Sequence, residues 1–349
     1  MSHLHDILRR EAYEASAPCR IDMGGTFDLS TFYLPLRHWA PCTFNAAINM
    51  RTQVRLSPFE EGKIRIRSRG FDDLVVDAEN ASFGPPMGLM LAVAAYFKAD
   101  GVAIDIHSES PTRSALGGSS VAAVALIWAF SKALASEDMP LPGKSAVAQL
   151  AHAIEQSVAG VPCGRQDQLA AVYGGVNAWD WHAAPDDMGV RRRELIPPGQ
   201  CDDFSRCILV AYCGNPHASE DINGTWVRRF IRGERRDVWH EMNRCVHQFV
   251  AAVAVNDISR AQEAMNRETE LRRQLTPGVL DDVGIQLVDA AVSGGCGARF
   301  TGAGGGGCVW ALGDAQQIAG LRSIWQDIVQ LQGDDARLLE TAIDTNGIL

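Results

Sequence analysis

The chain has 349 residues, of which 46% are hydrophobic and 21% charged, with a formal net charge of -10 and a pI of about 5.4. That balance excludes a disordered chain, and the acidity argues against bulk attraction to nucleic acid or an anionic membrane. The length makes two domains the expectation, each able to bury a core.

An acidic chain still binds an anion locally, with backbone N–H groups and a few placed cations. Only Lys63, Lys98, Lys132 and Lys144 are lysines, so arginine supplies most of the positive charge. The nine cysteines are odd in number and contain no C-x-x-C pair. Neither a zinc site nor a disulfide framework fits, and a reduced cytoplasmic protein with mostly buried thiols is expected. Glycine is in excess, with 33 residues, and it goes where backbone turns sharply or approaches another group closely.

Met1 to Glu14 mixes His, Asp, Arg and Glu, lacks the apolar core of a signal peptide, and reads as a frayed or amphipathic first segment. No apolar run is expected to reach the ~18–20 residues of a membrane span. Residues 42–57 and 63–68 read as strands, the second alternating through Lys63-Ile64-Arg65-Ile66-Arg67. Val102 to His107 alternates likewise.

At Pro111 to Ile127 the pattern changes. Gly117-Gly118-Ser119-Ser120 opens directly into a stretch that is apolar on nearly all sides from Ser119 to Leu134, which predicts a buried helix. The start of such a helix offers unpaired N–H groups and the positive end of its dipole. Glycines let that backbone wrap a phosphate, and serines cap the helix or reach phosphate oxygens and a metal. A tight turn with a serine N-cap is the plainer alternative.

Ser145 is a candidate cap for a second helix, with Leu150, Ile154 and Val158 at four-residue spacing and Gly160 and Pro162 ending it. Gly143-Lys144-Ser145 is no P-loop, because Asp138 stands where that motif needs its first glycine. Asp167 to Tyr173 reads as a third, short helix closed by Gly174-Gly175. An aspartate at such a helix start is favoured as the carboxylate, and a carboxylate orients or deprotonates a substrate hydroxyl. Glu155, twelve residues earlier, offers oxygen to a hard cation. Taken alone, each is as readily a helix-start acid or a solvated face.

Residues 183–204 hold three prolines, two glycines and Arg191-Arg192-Arg193, which makes them the boundary candidate between domains 1–198 and 199–349. Cys207 to Tyr212 reads as a strand that runs into a polar turn. Helices are expected near 235–255, 258–272 and 279–292. A glycine-rich turn follows, then a strand at Cys308 to Leu312 and a helix at Ala315 to Gln330. Gly302, Gly304 and Gly307 match G-x-G-x-x-G, but that fingerprint follows a strand and opens a helix. Here a strand follows, which disfavours an NAD-dependent enzyme. The turn is expected to join two strands and to bring backbone close to a ligand or another element.

Together these segments resemble the GHMP kinase superfamily. Pro111 to Ala123 resembles its second motif, P-x-x-x-G-L-G-S-S-A-A, with Ala115 where glycine is usual. Ala298 to Gly307 resembles the third, with Arg299 where lysine is common. Gly164-Arg165-Gln166-Asp167-Gln168 is similar to the sugar-kinase stretch that holds the catalytic aspartate. The run 17-APCRIDMGGTFDL-29 resembles the first motif: Arg20 matches its arginine and Asp28 its hydroxyl-binding aspartate. That spacing is one residue shorter than in the family, and Asp22 is the alternative. Residues 209–223 are similar to the branch of the D-glycero-D-manno-heptose 7-phosphate kinases.

The resemblance implies a mixed α/β and α+β fold of two domains, a ribosomal S5 domain 2-like N-terminal domain and a ferredoxin-like C-terminal one, with the site between them. It implies an ATP- and Mg2+-dependent kinase acting on a sugar or sugar phosphate. Ser114, Ala115, Leu116, Gly117, Gly118, Ser119 and Ser120 would wrap the ATP phosphates. Ser120 (or Ser119) and Glu155 would hold Mg2+. Asp167 would orient or deprotonate the acceptor, and Arg20 would neutralise developing charge. Asp28, Gly164, Gln168, His217, Ser219, Gly304 and Gly305 would shape the substrate pocket, with Asn223 beside them. The implied partners are a small sugar and ATP, with no nucleic acid and no membrane. Monomer and homodimer both stay open, as do the identity of the sugar, a mevalonate- or homoserine-type acceptor, and a non-catalytic sensor on the same fold.

Overall fold

A computed structural model describes residues 4–135, 140–160, 162–182, 189–216, 222–333 and 335–349. In chain order the first part contains α1 (Leu4–Arg10), β1 (Tyr13–Met23), α2 (Ser30–Tyr33), β2 (Cys42–Pro58), β3 (Lys63–Ser68) and β4 (Leu74–Asp77). Next come α3 (Gly88–Tyr96), β5 (Val102–Ser108), α4 (Gly118–Ala135), α5 (Lys144–Val158), α6 (Gln166–Tyr173), β6 (Val176–Trp181) and β7 (Val190–Ile196). The remainder holds α7 (Cys201–Ser205), β8 (Ile208–Tyr212), α8 (Ile222–Ile231), α9 (Arg236–Ala254), α10 (Ile258–Leu275) and α11 (Asp282–Ser293). It ends with β9 (Gly297–Phe300), β10 (Cys308–Leu312), α12 (Ala315–Gln330) and β11 (Arg337–Leu339).

The long strand β2 is the spine of a seven-stranded sheet. Along one edge it pairs antiparallel with all of β1, from Tyr13 opposite Leu56 to Met23 opposite Phe44. Its other edge takes β6 at Cys42–Ala46 and β5 at Thr52–Pro58. β3 and β4 extend the sheet beyond β5, and β7 closes it beyond β6. The first half of β2 is buried on both faces, its polar Thr43 and Asn45 accepting the indole N–H groups of Trp181 and Trp179, whereas the second half alternates because one face meets water.

Against β1 and β2 packs α4, with buried residues all round its axis, as its sequence predicts. One expectation needs correcting here. This 18-residue helix, with a mean hydropathy of 1.5, is long and apolar enough to cross a membrane. Ser131 and Lys132 interrupt the run in sequence, but the helix as a whole passes that test. Since 67% of it is buried within the protein, it serves as a core helix.

The second sheet has the order β11-β8-β10-β9, all antiparallel. Read along the chain it is a β-α-β-β-α-β unit, the ferredoxin-like pattern, with four helices in its first crossover. After β11 the chain returns to the first sheet. Ile343 bridges Ile48, the Gly175 N–H donates to the Asp344 carbonyl, and Leu349 pairs with Ser16.

The elements not anticipated from the sequence include β1, β4, α3, β6 and β7. β1 is buried on both faces over Pro18–Met23, so alternation is lost. β7 holds the arginine run assigned above to a linker. There Arg191 and Arg193 both donate to the Asp180 carboxylate of β6, and Arg192 donates to Asn177. The run is thus a set of cross-strand partners at a sheet edge. The N-cap of α5 is Gly143, and Ser145 lies inside the first turn. None of the nine cysteines is in a disulfide, and seven are buried.

Candidate active site

The starts of α4 and α6 converge on a cavity of about 590 Å³, closed on its other sides by the β1–α2 connection and the β9–β10 turn. Backbone bends bring the 113–118 loop to its wall. Arg113, Ala115 and Gly117 adopt φ of 55°, 60° and 82°. A left-handed backbone at Ala115 gives a physical reason for glycine being usual there. Arg20 in β1 holds this loop twice: its backbone N–H donates to the Leu116 carbonyl (3.2 Å) and its Nη1 to the Ala115 carbonyl (2.6 Å).

The same guanidinium binds the Asp167 carboxylate, with Nε donating to Oδ1 at 2.8 Å. Arg20 is buried, while the Asp167 side chain keeps 22% of its surface. A shielded cation therefore presents an accessible carboxylate at the start of α6. Burial works against the charge on Arg20, but Asp167 and Asp22 outweigh it and keep the guanidinium protonated.

Two further carboxyls line the cavity. Asp28 accepts the N–H groups of Thr26 (3.1 Å) and Gln166 (3.2 Å). Burial nonetheless pushes its pKa up to about 6. Gly164 makes room for it, since a Cβ there would lie 1.7 Å from Asp28 Oδ2. Glu155 accepts the Ser120 hydroxyl (2.7 Å) and the Gln168 amide (2.6 Å) on one oxygen. Burial raises its pKa to about 7. Among the described residues no cluster of three or more His, Cys, Asp or Glu side chains is poised for a metal. One carboxylate beside a serine hydroxyl still suits Mg2+, which takes one or two carboxylates and completes its shell with water and phosphate oxygens.

Most of the sequence-predicted residues meet here: Arg20, Asp28, Ser114, Ala115, Gly117 to Ser120, Glu155, Gly164 and Asp167, with Asn223 at the start of α8. Four do not reach the cavity wall. Leu116 points its side chain into the core. Gln168 sits behind Glu155. Gly304 and Gly305 pack on the 276–279 turn: a Cβ on Gly304 would meet the Val279 carbonyl at 2.3 Å, and the Gly305 N–H donates to that carbonyl. From their turn, only Gly302 and Ala303 reach the cavity among the described residues. His217 and Ser219 lie outside the described residues. Between the two aspartates left open by the sequence, Asp28 lines the cavity, and Asp22 is fully buried behind it.

Sequence reasoning did not find the far end of the cavity, where Phe71, Met87, Met90 and Ile106 give an apolar wall. These residues come from a turn, a helix start and a strand end, and no local pattern links them. Thr26 and Gln166, also on the wall, sit inside the quoted motifs and were legible only as neighbours of Asp28 and Asp167.

Two domains that set a glycine–serine helix start beside an Arg–Asp pair define a small-molecule kinase built without a P-loop. Residues 86–175 match the GHMP kinases N terminal domain, and residues 249–328 match the GHMP kinases C terminal domain. The chain belongs to the GHMP kinases, a family of ATP-using enzymes that phosphorylate an alcohol group. It is 26% identical to a mevalonate kinase of Pyrococcus abyssi over 328 residues, 87% of this chain and 89% of that protein. A shorter stretch of 76 residues is 41% identical to D-glycero-alpha-D-manno-heptose 7-phosphate kinase of Campylobacter jejuni, covering 22% of this chain and 21% of the other. In fold it is similar to Lactococcus lactis galactokinase, with a TM-score of 0.72 at 18% identity over 97% and 95% of the two chains.

Proposed function

We propose that the chain is an ATP-dependent sugar kinase. The observation that carries the choice of acceptor is Asp28. Its carboxylate lines the cavity, is held by two backbone N–H groups, and turns toward the same space as Asp167. Carboxylates on the acceptor side suit the hydroxyls of a polyol and repel any acid group placed beside them, so a phosphate on the sugar would have to lie away from Asp28 and Asp167. The 41% identity to a heptose phosphate kinase over 76 residues supports the same reading.

Asp167 accepts the proton of the attacking hydroxyl, and its position beside the α4 start sets that hydroxyl against the γ-phosphate. Arg20 fixes Asp167 through Nε and offsets negative charge as it develops. The N–H groups of the first turn of α4, with Ser119 and Ser120, cradle the triphosphate. The base lies in the apolar end between Phe71 and Met90. Ser120 and Glu155 would hold Mg2+, which would supply charge neutralisation on the phosphate oxygens. Asn223 and Thr26 complete the sugar pocket.

A second reading, a mevalonate-type acceptor, has the long alignment at 26% identity in its favour. A kinase assay with ATP against free and phosphorylated heptoses, hexoses, L-fucose and mevalonate separates the two. The sugar reading expects a neutral or phosphorylated sugar as the preferred acceptor. Turnover of mevalonate above every sugar would replace it.

A further inference from the structure

Behind the cavity runs a line of six alternating charges: Arg272, Glu268, Arg299, Asp22, Arg20 and Asp167. Arg272 lies over the rings of Trp226 and Trp239, 4.6 and 5.7 Å from their centroids. Its Nε donates to Glu268 Oε1 at 2.8 Å, and Arg299 Nε donates to Glu268 Oε2 at the same distance. Arg299 Nη1 stands 3.4 Å from Asp22 Oδ2. Asp22 Oδ1 accepts the Gly302 N–H (2.7 Å) and faces Arg20 Nη1 at 3.5 Å. The first four side chains are wholly buried, and of the line only Arg20, itself nearly buried, and the more open Asp167 reach the cavity.

The line crosses the domains. Arg272, Glu268 and Arg299 come from α10 and β9, whereas Asp22, Arg20 and Asp167 come from β1 and α6. The Arg272 guanidinium also donates to the Gly25 carbonyl (2.6 Å) and the Thr26 hydroxyl (2.9 Å), across the same boundary. Such a network is a poor source of stability, because well-packed apolar residues often do as well or better. What it supplies here is orientation. Arg20 meets carboxylates on two sides, and its Nε reaches only Oδ1 of Asp167. With Asp22 neutral, only the Ala115 carbonyl still holds Nη1, no second carboxylate opposes the pull of Asp167, and the guanidinium shifts toward both of its oxygens.

We propose that Asp22 is a positioning residue. Gripped by Arg299 and Gly302 of the second domain, it holds Arg20 so that one oxygen of Asp167 stays open to the acceptor hydroxyl. This rests on the reading of Asp167 as the proton acceptor.

Asp22→Asn keeps the shape and removes the charge. Asp22→Asn/Arg299→Gln removes two opposite charges, leaving Glu268 with Arg272 and Asp167 with Arg20, so buried charge is balanced again. Phosphoryl transfer from ATP is measured with D-galactose, D-mannose, L-fucose and D-glycero-D-manno-heptose, and to water in single turnover, alongside thermal unfolding. Expected for both variants is a kcat about 10- to 100-fold lower, with KM for ATP and acceptor within about threefold, the size of a misplaced reacting group. The double variant should recover the melting temperature lost by the single one, but not kcat. Recovery of kcat together with stability would overturn the proposal, since a merely structural role predicts it. If the single variant does not fold, the double one carries the test. Asp167→Asn is run beside them: normal turnover there would condemn the assignment of Asp167, a failure separable from that of Asp22.

Discussion

Two glycine-rich loops meet at the cavity, and they use glycine for opposite purposes. The 113–118 loop uses it for its own path at Gly117 alone, at φ 82°, since Arg113 and Ala115 take positive φ without it. It ends in the first turn of α4, whose N–H groups have no helical acceptor and point outward. In the 301–307 turn, Gly302, Gly304, Gly305, Gly306 and Gly307 all have positive φ. Most of its N–H groups are already taken: Gly302 donates to Asp22, Gly304 to Thr301, Gly305 to Val279 and Gly307 to Asn215. A Cβ on Gly307 would lie 2.7 Å from the Ser114 carbonyl, and one on Gly302 would lie 3.2 Å from that of Ala115. The first loop presents donors, and the second is the backing pressed against it. A run of glycines therefore marks close backbone, and only the partners of its amides tell which face binds.

The comparison breaks most sharply at the group the presenting loop serves. Asp167→Asn should lower kcat by about 10²–10⁴-fold, the usual contribution of general base catalysis, while titration with a fluorescent ATP analogue shows nucleotide affinity little changed. Equal losses in both would place Asp167 in nucleotide binding instead. Next in size is the backing. Gly307→Ala puts a methyl against Ser114 and should raise the KM for ATP about tenfold, through displacement of a phosphate-binding loop by less than an ångström. Gly62→Ala is the control, because Gly62 has the same sign of φ but nothing within 4 Å. Both should lose about 1–2 kcal/mol of stability to backbone strain, yet only Gly307→Ala should change KM. A matching change in both would mean that strain, not contact with the first loop, is what the measurement reports.

How much of this was legible in the sequence follows from how each part is encoded. Helices such as α4, α9 and α12, and the strands β3 and β5, declare themselves through period and composition. The starts of α4 and α6 put Ser120 and Asp167 in place by local rules. β1 gave no signal because both of its faces are buried, and β7 because three arginines look like a linker until Asp180 and Asn177 lie opposite. The choice between Asp22 and Asp28 was closed to sequence, since they lie six positions apart in one motif and only tertiary packing decides which faces the cavity. Gly304 and Gly305 shared a motif with Gly302, and their amides alone show that they face the 276–279 turn. The apolar end of the cavity is assembled from three distant segments, so no window contains it.

The smallest expected effect concerns Asp28 and separates binding from stability by sign. Burial pushes its carboxyl from 3.8 up to about 6. The folded state then holds the proton more tightly than the unfolded one, so this group favours folding most below its unfolded pKa. That contribution is lost as pH rises through about 6. Acceptor binding should run the other way, because the N–H groups of Thr26 and Gln166 and the hydroxyls of a sugar all address the carboxylate. The KM for the acceptor should rise severalfold as pH falls from about 7.5 to about 5.5, a window set by that raised value. Mg2+ is kept saturating so that Glu155, whose carboxyl is raised to about 7, does not dominate the profile. Asp28→Asn should have a high acceptor KM that no longer changes with pH, with the KM for ATP unaltered. A flat acceptor KM in the unmodified protein would remove Asp28 from the sugar pocket and, with it, the main argument for a sugar over a mevalonate-type acceptor.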